Sequence, residues 1–115
     1  MNKQISFLLL ILFLVVPPAY SKDNVVVVKL SGAINPAVAE YVSDEISQAN
    51  AEKDSLIVLH MDTPGGLDTS MREIIKKIQS SEVPVASFVA PTGSRAASAG
   101  TFITIASHIA AMAPG

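Results

Sequence analysis

Short apolar runs, rich in β-branched residues, alternate along the chain with segments of helical periodicity. The runs cover residues 25–30, 56–61 and 85–89, and a fourth begins near residue 108. Because their apolar residues are continuous rather than alternating with polar ones, these runs predict strands that are buried on both faces, as in a parallel sheet. The resulting order βαβαβαβ predicts an α/β fold in which right-handed crossovers join the strands of a mainly parallel sheet.

The segments between the first three strands carry recognisable helix starts. Asn35 followed by Pro36 combines a capping side chain with the residue favoured at the first helical position. The second helix begins after residue 67, where Asp68 is one candidate cap and a capping box formed by Ser70 and Glu73 is the other. The sequence therefore predicts two capped helices in this half of the chain.

The N-terminus has the pattern of a secretory signal peptide. Lys3 precedes an apolar run over residues 5–16, two prolines end the run, and small residues then suit cleavage before Lys22. The run is shorter than the roughly 20 residues that span a bilayer, although an uncleaved anchor remains the alternative. We expect residues 1–21 to be a signal peptide and residues 22–115 to form one exported domain.

Composition excludes several classes of function. The formal net charge is −2 at pH 7 with no basic stripe, so nucleic acid is not expected as a partner. The chain has no cysteine, which excludes disulfides, thiolate catalysis and cysteine-ligated metals. Two histidines far apart in sequence do not make a metal site. We therefore expect neither a metal nor an organic cofactor.

One serine stands among residues that have almost no side chain. Ser98 lies in the segment Ala-Ser-Ala-Gly, which follows a loop and precedes an apolar run over residues 102–106. This pattern predicts a serine at the N-terminus of a buried helix, where unpaired N–H groups and the helix dipole favour developing negative charge. Small residues around a serine also suit a tightly packed helix, and that structural alternative stays open from this stretch alone.

A glycine pair follows the second predicted strand. Gly65 and Gly66 come directly after Asp-Thr-Pro, and glycine accepts the backbone angles that turn amides toward a ligand. For acyl transfer at Ser98, these amides and that of Ala99 are candidate donors to the oxyanion, while an ordinary turn is the alternative reading. In a parallel sheet both loops leave strands at the carboxyl edge, which predicts one shared cleft.

Taken together and in order, these segments resemble the NfeD family. They read MDTPGGL over residues 61–67, GSRAASAGT over residues 93–101, SH at 107–108 and AMAPG over residues 111–115. The family comprises membrane-bound serine proteases of the ClpP class, which are partners of stomatin-like proteins. The resemblance implies a ClpP/crotonase-like spiral of ββα units. It also implies that Ser98 is the nucleophile and that Gly65 and Gly66 contact the oxyanion and the substrate backbone.

The resemblance also implies a catalytic lysine that lies after the Ala-Pro-Gly turn. No lysine follows Ser98 in this sequence, so we expect an N-terminal part of the protease domain that is inactive by itself. The implied activity is that of a Ser–Lys endopeptidase acting on hydrophobic segments of membrane-associated proteins, such as stomatin-like partners. The implied whole protein is an extracytoplasmic homo-oligomer that is bound to the membrane through C-terminal helices.

Other readings remain. His108, ten positions after Ser98, suggests a Ser-His-Asp triad, but His108 and His60 lie within apolar runs and favour structural roles. Asp62 is expected to cap nearby amides. A catalytically silent, membrane-linked interaction module is one alternative function. A crotonase-type acyl-CoA enzyme is another, although an export signal argues against it because acyl-CoA is a cytoplasmic metabolite.

Overall fold

The structure is a computed structural model that describes residues 23–115. Helices and strands alternate throughout this part of the chain. The expected signal peptide lies outside the described residues. The elements are β1 Val25–Ser31, α1 Pro36–Glu52, β2 Leu56–Asp62, α2 Asp68–Gln79, β3 Val85–Val89, α3 Ala99–Ala106 and β4 Ile109–Met112. None of the helices within residues 23–115 is long and apolar enough to cross a membrane.

The strands form one parallel sheet in the order β1-β2-β3-β4. Leu59 in the second strand pairs with Val28 on one side and with Ser87 on the other, so neighbouring strands are in register across the sheet. The three helices pack side by side on one face, as expected when successive crossovers of one hand proceed in the same direction across the sheet. The predicted α/β order and parallel sheet are confirmed.

The core lies between this face and the helices. Alternate strand residues and one stripe of each helix supply its fully buried side chains, among them Leu30, Ile46, Leu59, Ile74 and Ile103. The opposite face of the sheet is open within the described residues. Burying side chains of this size against helices is the main source of stability for such a layer.

The prediction of burial on both faces is wrong within the described part. In β1, Val28 is 0% exposed but Val27 is 63% exposed, because helices cover only one side of the sheet. Strand β4 is exposed along its whole length. The third helix is also less buried than expected, since Phe102 and Ile105 on its outer side are exposed.

The two helix starts differ in how they are capped. The Asn35 Oδ1 accepts a hydrogen bond from the Val38 N–H at 2.9 Å, which confirms the predicted cap of α1. Neither predicted cap of α2 forms, because Leu67 enters the helix from an extended conformation and takes the N-cap position itself. The Asp68 carboxylate instead accepts from Arg72 Nε at 2.8 Å, and this contact raises the pKa of the exposed arginine.

Candidate active site

The glycine loop and the serine loop run alongside each other at the carboxyl edge of the sheet. Thr63 and Ala96 form a parallel bridge between them. The Thr63 N–H donates to the Arg95 carbonyl at 2.7 Å, and the Ala97 N–H donates to the Thr63 carbonyl at 3.1 Å. The structure thus brings both predicted loops together in one place, as expected from the topology.

Ser98 occupies an unusual backbone position at the end of this bridge. It is the N-cap of α3 with φ 52° and ψ −118°, although non-glycine residues rarely adopt positive φ. Its side chain is exposed, and its Oγ makes no hydrogen bond to any residue between 23 and 115. The backbone therefore presents a free hydroxyl at a helix N-terminus, which confirms the predicted helix start. Such strained positions are typical of functional sites.

Gly65 lies directly against the serine. A Cβ atom placed on Gly65 would be 2.7 Å from Ser98 Cβ and 3.2 Å from Ser98 Oγ. The φ of Gly65 is +107°, which side chains rarely tolerate. The absence of a side chain at Gly65 is thus what leaves space around the hydroxyl.

Gly66 is fixed from the other side by the connection between β1 and α1. It bridges Ile34 in parallel, with the Ile34 N–H donating to the Gly65 carbonyl and the Leu67 N–H donating to the Ile34 carbonyl, both at 2.9 Å. A Cβ on Gly66 would overlap the Ile34 backbone, at 2.5 Å from its nitrogen and 2.7 Å from its carbonyl carbon. The glycine loop is therefore held by backbone on both sides.

The three amides suggested as oxyanion donors differ in their availability. The Gly65 N–H donates to Thr63 Oγ1 at 3.0 Å and is already engaged. The Gly66 and Ala99 N–H groups donate to no acceptor within residues 23–115. Unpaired amides beside a free hydroxyl are the elements that acyl transfer requires. The sequence did not reveal this distinction, because it depends on the Thr63 side chain.

Neither histidine adjoins Ser98. His108 Nδ1 accepts from the Val85 N–H at 3.0 Å, at the amino end of β3 and thus at the opposite edge of the sheet from the serine. His60 packs edge-on against Phe88, with 6.1 Å between ring centroids. Both histidines thus make their contacts away from Ser98, although His108 is exposed rather than buried in a core strand. Asp62 Oδ1 accepts from the Arg95 N–H at 3.2 Å, so its expected role as a cap of nearby amides is confirmed.

An apolar pocket of about 300 Å³ lies between α3 and β4. Its walls include Ala96 and Thr101, which flank Ser98 closely in the chain, and side chains of both elements such as Ile105 and Met112. Sequence reasoning missed this pocket, because its lining residues come from segments whose pattern is typical of a core helix and a core strand.

Comparison with known proteins identifies the family. Residues 24–115 match the family described as NfeD1b, N-terminal domain. The chain belongs to the NfeD1b N-terminal domain family. It is 35% identical over 113 residues to the membrane-bound protease PH1510 of Pyrococcus horikoshii and 31% identical over 109 residues to the membrane protein NfeD1b of Bacillus subtilis.

The chain spans about a quarter of the length of these NfeD relatives. The matches cover 98% of the chain and 26% of the Pyrococcus protein, and 95% of the chain and 24% of the Bacillus protein. The family resemblance inferred from the sequence is confirmed, and it concerns the N-terminal part of these longer proteins.

Solved structures of an NfeD relative share the fold. A serine-to-alanine mutant of the 1510-N membrane-bound stomatin-specific protease superposes with a TM-score of 0.79 at 38% identity, covering 82% of this chain and 45% of that one. A lysine-to-alanine mutant of the same protease, in complex with a substrate peptide, has a TM-score of 0.79 at 39% identity, covering 83% and 43%. The expected ClpP-like fold is confirmed.

Proposed function

We propose that this chain supplies the nucleophile and the oxyanion site of a serine endopeptidase of the Ser–Lys type. The observation that carries the proposal is the arrangement around Ser98: an unpaired, exposed hydroxyl on an N-cap residue with positive φ, packed against a glycine that leaves it room. The relative whose mutants carry a serine or a lysine replacement is described as a stomatin-specific protease, which favours the same chemistry here.

In this mechanism the Ser98 Oγ attacks the carbonyl carbon of the scissile peptide. The Gly66 and Ala99 N–H groups donate to the oxyanion that forms, and the N-terminus of α3 adds its dipole. The engaged Gly65 amide takes no part as a donor, and Gly65 instead leaves space for the hydroxyl and the substrate backbone.

The serine proton passes to a lysine and from there to the leaving amine. The base lysine belongs to the segment that follows the Ala-Pro-Gly turn in the NfeD family. The lysines at the C-terminal end of α2, Lys76 and Lys77, are poor candidates, because that end of the helix lies toward the amino edge of the sheet. A base must also lose solvent to lower its pKa, and Lys76 is exposed.

The substrate class is a hydrophobic segment of a membrane-associated protein, such as a stomatin-like partner. The apolar pocket of about 300 Å³ supports this proposal, because its volume suits one large aliphatic or aromatic side chain. We further propose that residues 1–21 direct the domain across the membrane and that residues 22–115 form the N-terminal part of the protease domain. The complete protein is then a membrane-bound homo-oligomer whose site faces the extracytoplasmic side.

Cleavage by the complete protein tests the proposal. A fluorogenic peptide with apolar residues on both sides of the scissile bond is the substrate, and Ser98→Ala is compared with Ser94→Ala, a serine of the same loop. We expect Ser98→Ala to lose cleavage while Ser94→Ala retains it, with unchanged melting temperatures. If Ser98→Ala cleaves as fast as the parent, Ser98 is not the nucleophile. If the parent binds the peptide without cleaving it, the interaction module is the better account.

A further inference from the structure

Thr63, a fully buried residue between β2 and the glycine loop, contacts every segment that forms the site. We infer that Thr63 is the residue that positions the Gly66 amide relative to Ser98. The inference rests on the proposed function, since it concerns the same oxyanion site. The two parts of the Thr63 side chain, the hydroxyl and the methyl group, hold different segments.

The hydroxyl joins the glycine loop to the end of β1. Thr63 Oγ1 donates to the Gly32 carbonyl at 2.6 Å and accepts from the Gly65 N–H at 3.0 Å. A threonine hydroxyl has one proton and two lone pairs, so it can make both hydrogen bonds at once. The Gly65 amide is held in this way, whereas the next amide along the chain, that of Gly66, has no acceptor among the described residues.

The backbone of the same residue fixes the serine loop. Its N–H and carbonyl form the bridge to Arg95 and Ala97, and Ala97 is the residue before Ser98. Thr63 therefore lies two residues from Gly65 along one segment, and its partner Ala97 is next to Ser98 on the other. A change of the Thr63 side chain shifts the glycine loop relative to a serine loop that the backbone continues to hold.

The methyl group sets the position of α3. A Cβ on Gly100, in the first turn of α3, would be 2.6 Å from Thr63 Cγ2, whereas its next neighbours, Ala96 Cβ and Met61 Cε, would be at 3.5 and 3.8 Å. Within the described residues, the Thr63 methyl is thus the one group that would clash with a side chain at Gly100. Ala99, which carries the other unpaired amide, begins the same helix.

These contacts predict a separation of effects between two conservative variants in the complete protein. Thr63→Val keeps the shape and removes the hydroxyl, while Thr63→Ser keeps the hydroxyl and removes the Cγ2 methyl. A displaced donor loses transition-state stabilisation more than substrate binding, and a displacement near 1 Å costs about 100-fold in rate. We expect Thr63→Val to lower kcat about 10- to 100-fold with KM nearly unchanged, and Thr63→Ser to retain most of kcat.

Steady-state cleavage of the fluorogenic peptide measures kcat and KM, and circular dichroism confirms that each variant is folded. A folded Thr63→Val with the kcat of the parent overturns the inference, as does an equal loss of kcat in Thr63→Ser. Failure of the proposed function can be told apart from failure of the Thr63 inference. If the proposed function is wrong, Ser98→Ala cleaves the peptide as fast as the parent, whatever the Thr63 variants do.

The contact between the Thr63 methyl and Gly100 is tested by adding a methyl group at Gly100 and removing the one at Thr63. Gly100→Ala places a Cβ against the Thr63 methyl and lowers the melting temperature, and Thr63→Ser removes that methyl. We expect the double variant to regain most of the melting temperature and kcat that Gly100→Ala alone loses. An equal loss from Gly100→Ala in the parent and Thr63→Ser backgrounds overturns the methyl's role. The melting temperature gives this result even where no variant cleaves peptide.

Discussion

Gly66→Ala is the substitution whose effect the structure defines most sharply. The new Cβ would overlap the backbone of Ile34, and neither partner can move without breaking the parallel bridge between them. Two hydrogen bonds flank the position, from Ile34 to the Gly65 carbonyl and from Leu67 to the Ile34 carbonyl. Relief of the overlap therefore separates the glycine loop from the connection between β1 and α1.

The expected cost follows from two contributions. Overpacking against a rigid neighbour costs about 1–3 kcal/mol. Each weakened hydrogen bond adds roughly 1 kcal/mol, so the total is about 3–5 kcal/mol. This is a large part of the roughly 5–15 kcal/mol that stabilises a domain, so the variant is strongly destabilised.

Gly93→Ala is the matched control. Gly93 lies in the serine loop with φ +87°, but a Cβ there meets no atom within 4 Å. Its substitution therefore carries only the left-handed backbone penalty of about 1–2 kcal/mol. The comparison separates the steric overlap at Gly66 from the general loss of a glycine.

Urea unfolding followed by circular dichroism measures both variants. With a slope of about 2 kcal/mol per molar urea, Gly66→Ala lowers the midpoint by about 2 M and Gly93→Ala by less than about 1 M. Equal midpoints for the two variants would refute the reasoning, because the bridge to Ile34 would then not constrain Gly66.

Three further predictions concern separate regions. Asn50→Ala removes the oxygen that accepts from two amides of the α2–β3 connection at 2.8 and 3.0 Å, so the free energy of unfolding in urea falls by about 2–3 kcal/mol. Asn50→Asp keeps this acceptor and lowers the free energy of unfolding less. Equal losses for the two variants would contradict this role of Asn50. Asn35→Ala removes the cap of α1 and lowers stability by about 1 kcal/mol, and an unchanged melting curve would contradict it. Ala110→Phe, opposite Ser87 on the helix-covered face of the sheet, fills the apolar pocket, so cleavage next to large side chains falls about 10-fold or more while cleavage next to alanine persists. Equal losses for the two substrates would exclude a specificity role for the pocket.

The features that the sequence predicts well are those set by local residues. The third strand begins and ends at residues 85 and 89 as expected, because a mainly apolar segment between Pro84 and Pro91 defines it. The Asn35 cap acts over three residues, and the capping chemistry is visible in the sequence. The meeting of Ser98 with Gly65 follows from the parallel topology, which places both loops at one edge.

The features that the sequence does not reveal depend on contacts between distant segments. The apolar run of β1 does not indicate what covers it, and Val27 proves exposed in the described part. The start of α2 is fixed by a bridge from Ile34 to Gly66 rather than by its own polar side chains. Thr63 reads as a turn residue, yet its hydroxyl reaches a carbonyl 31 residues earlier and thereby decides which amide stays free.

Trapping of the acyl-enzyme tests the central claim most directly. The complete protein is mixed with an ester that has an apolar acyl group, quenched in acid, digested and analysed by mass spectrometry. Covalent catalysis predicts an acyl group on Ser98 that is absent from Ser98→Ala and present in Ser94→Ala. An acyl group on another residue, or rapid ester turnover with none on Ser98, would contradict the assignment of Ser98 as the nucleophile.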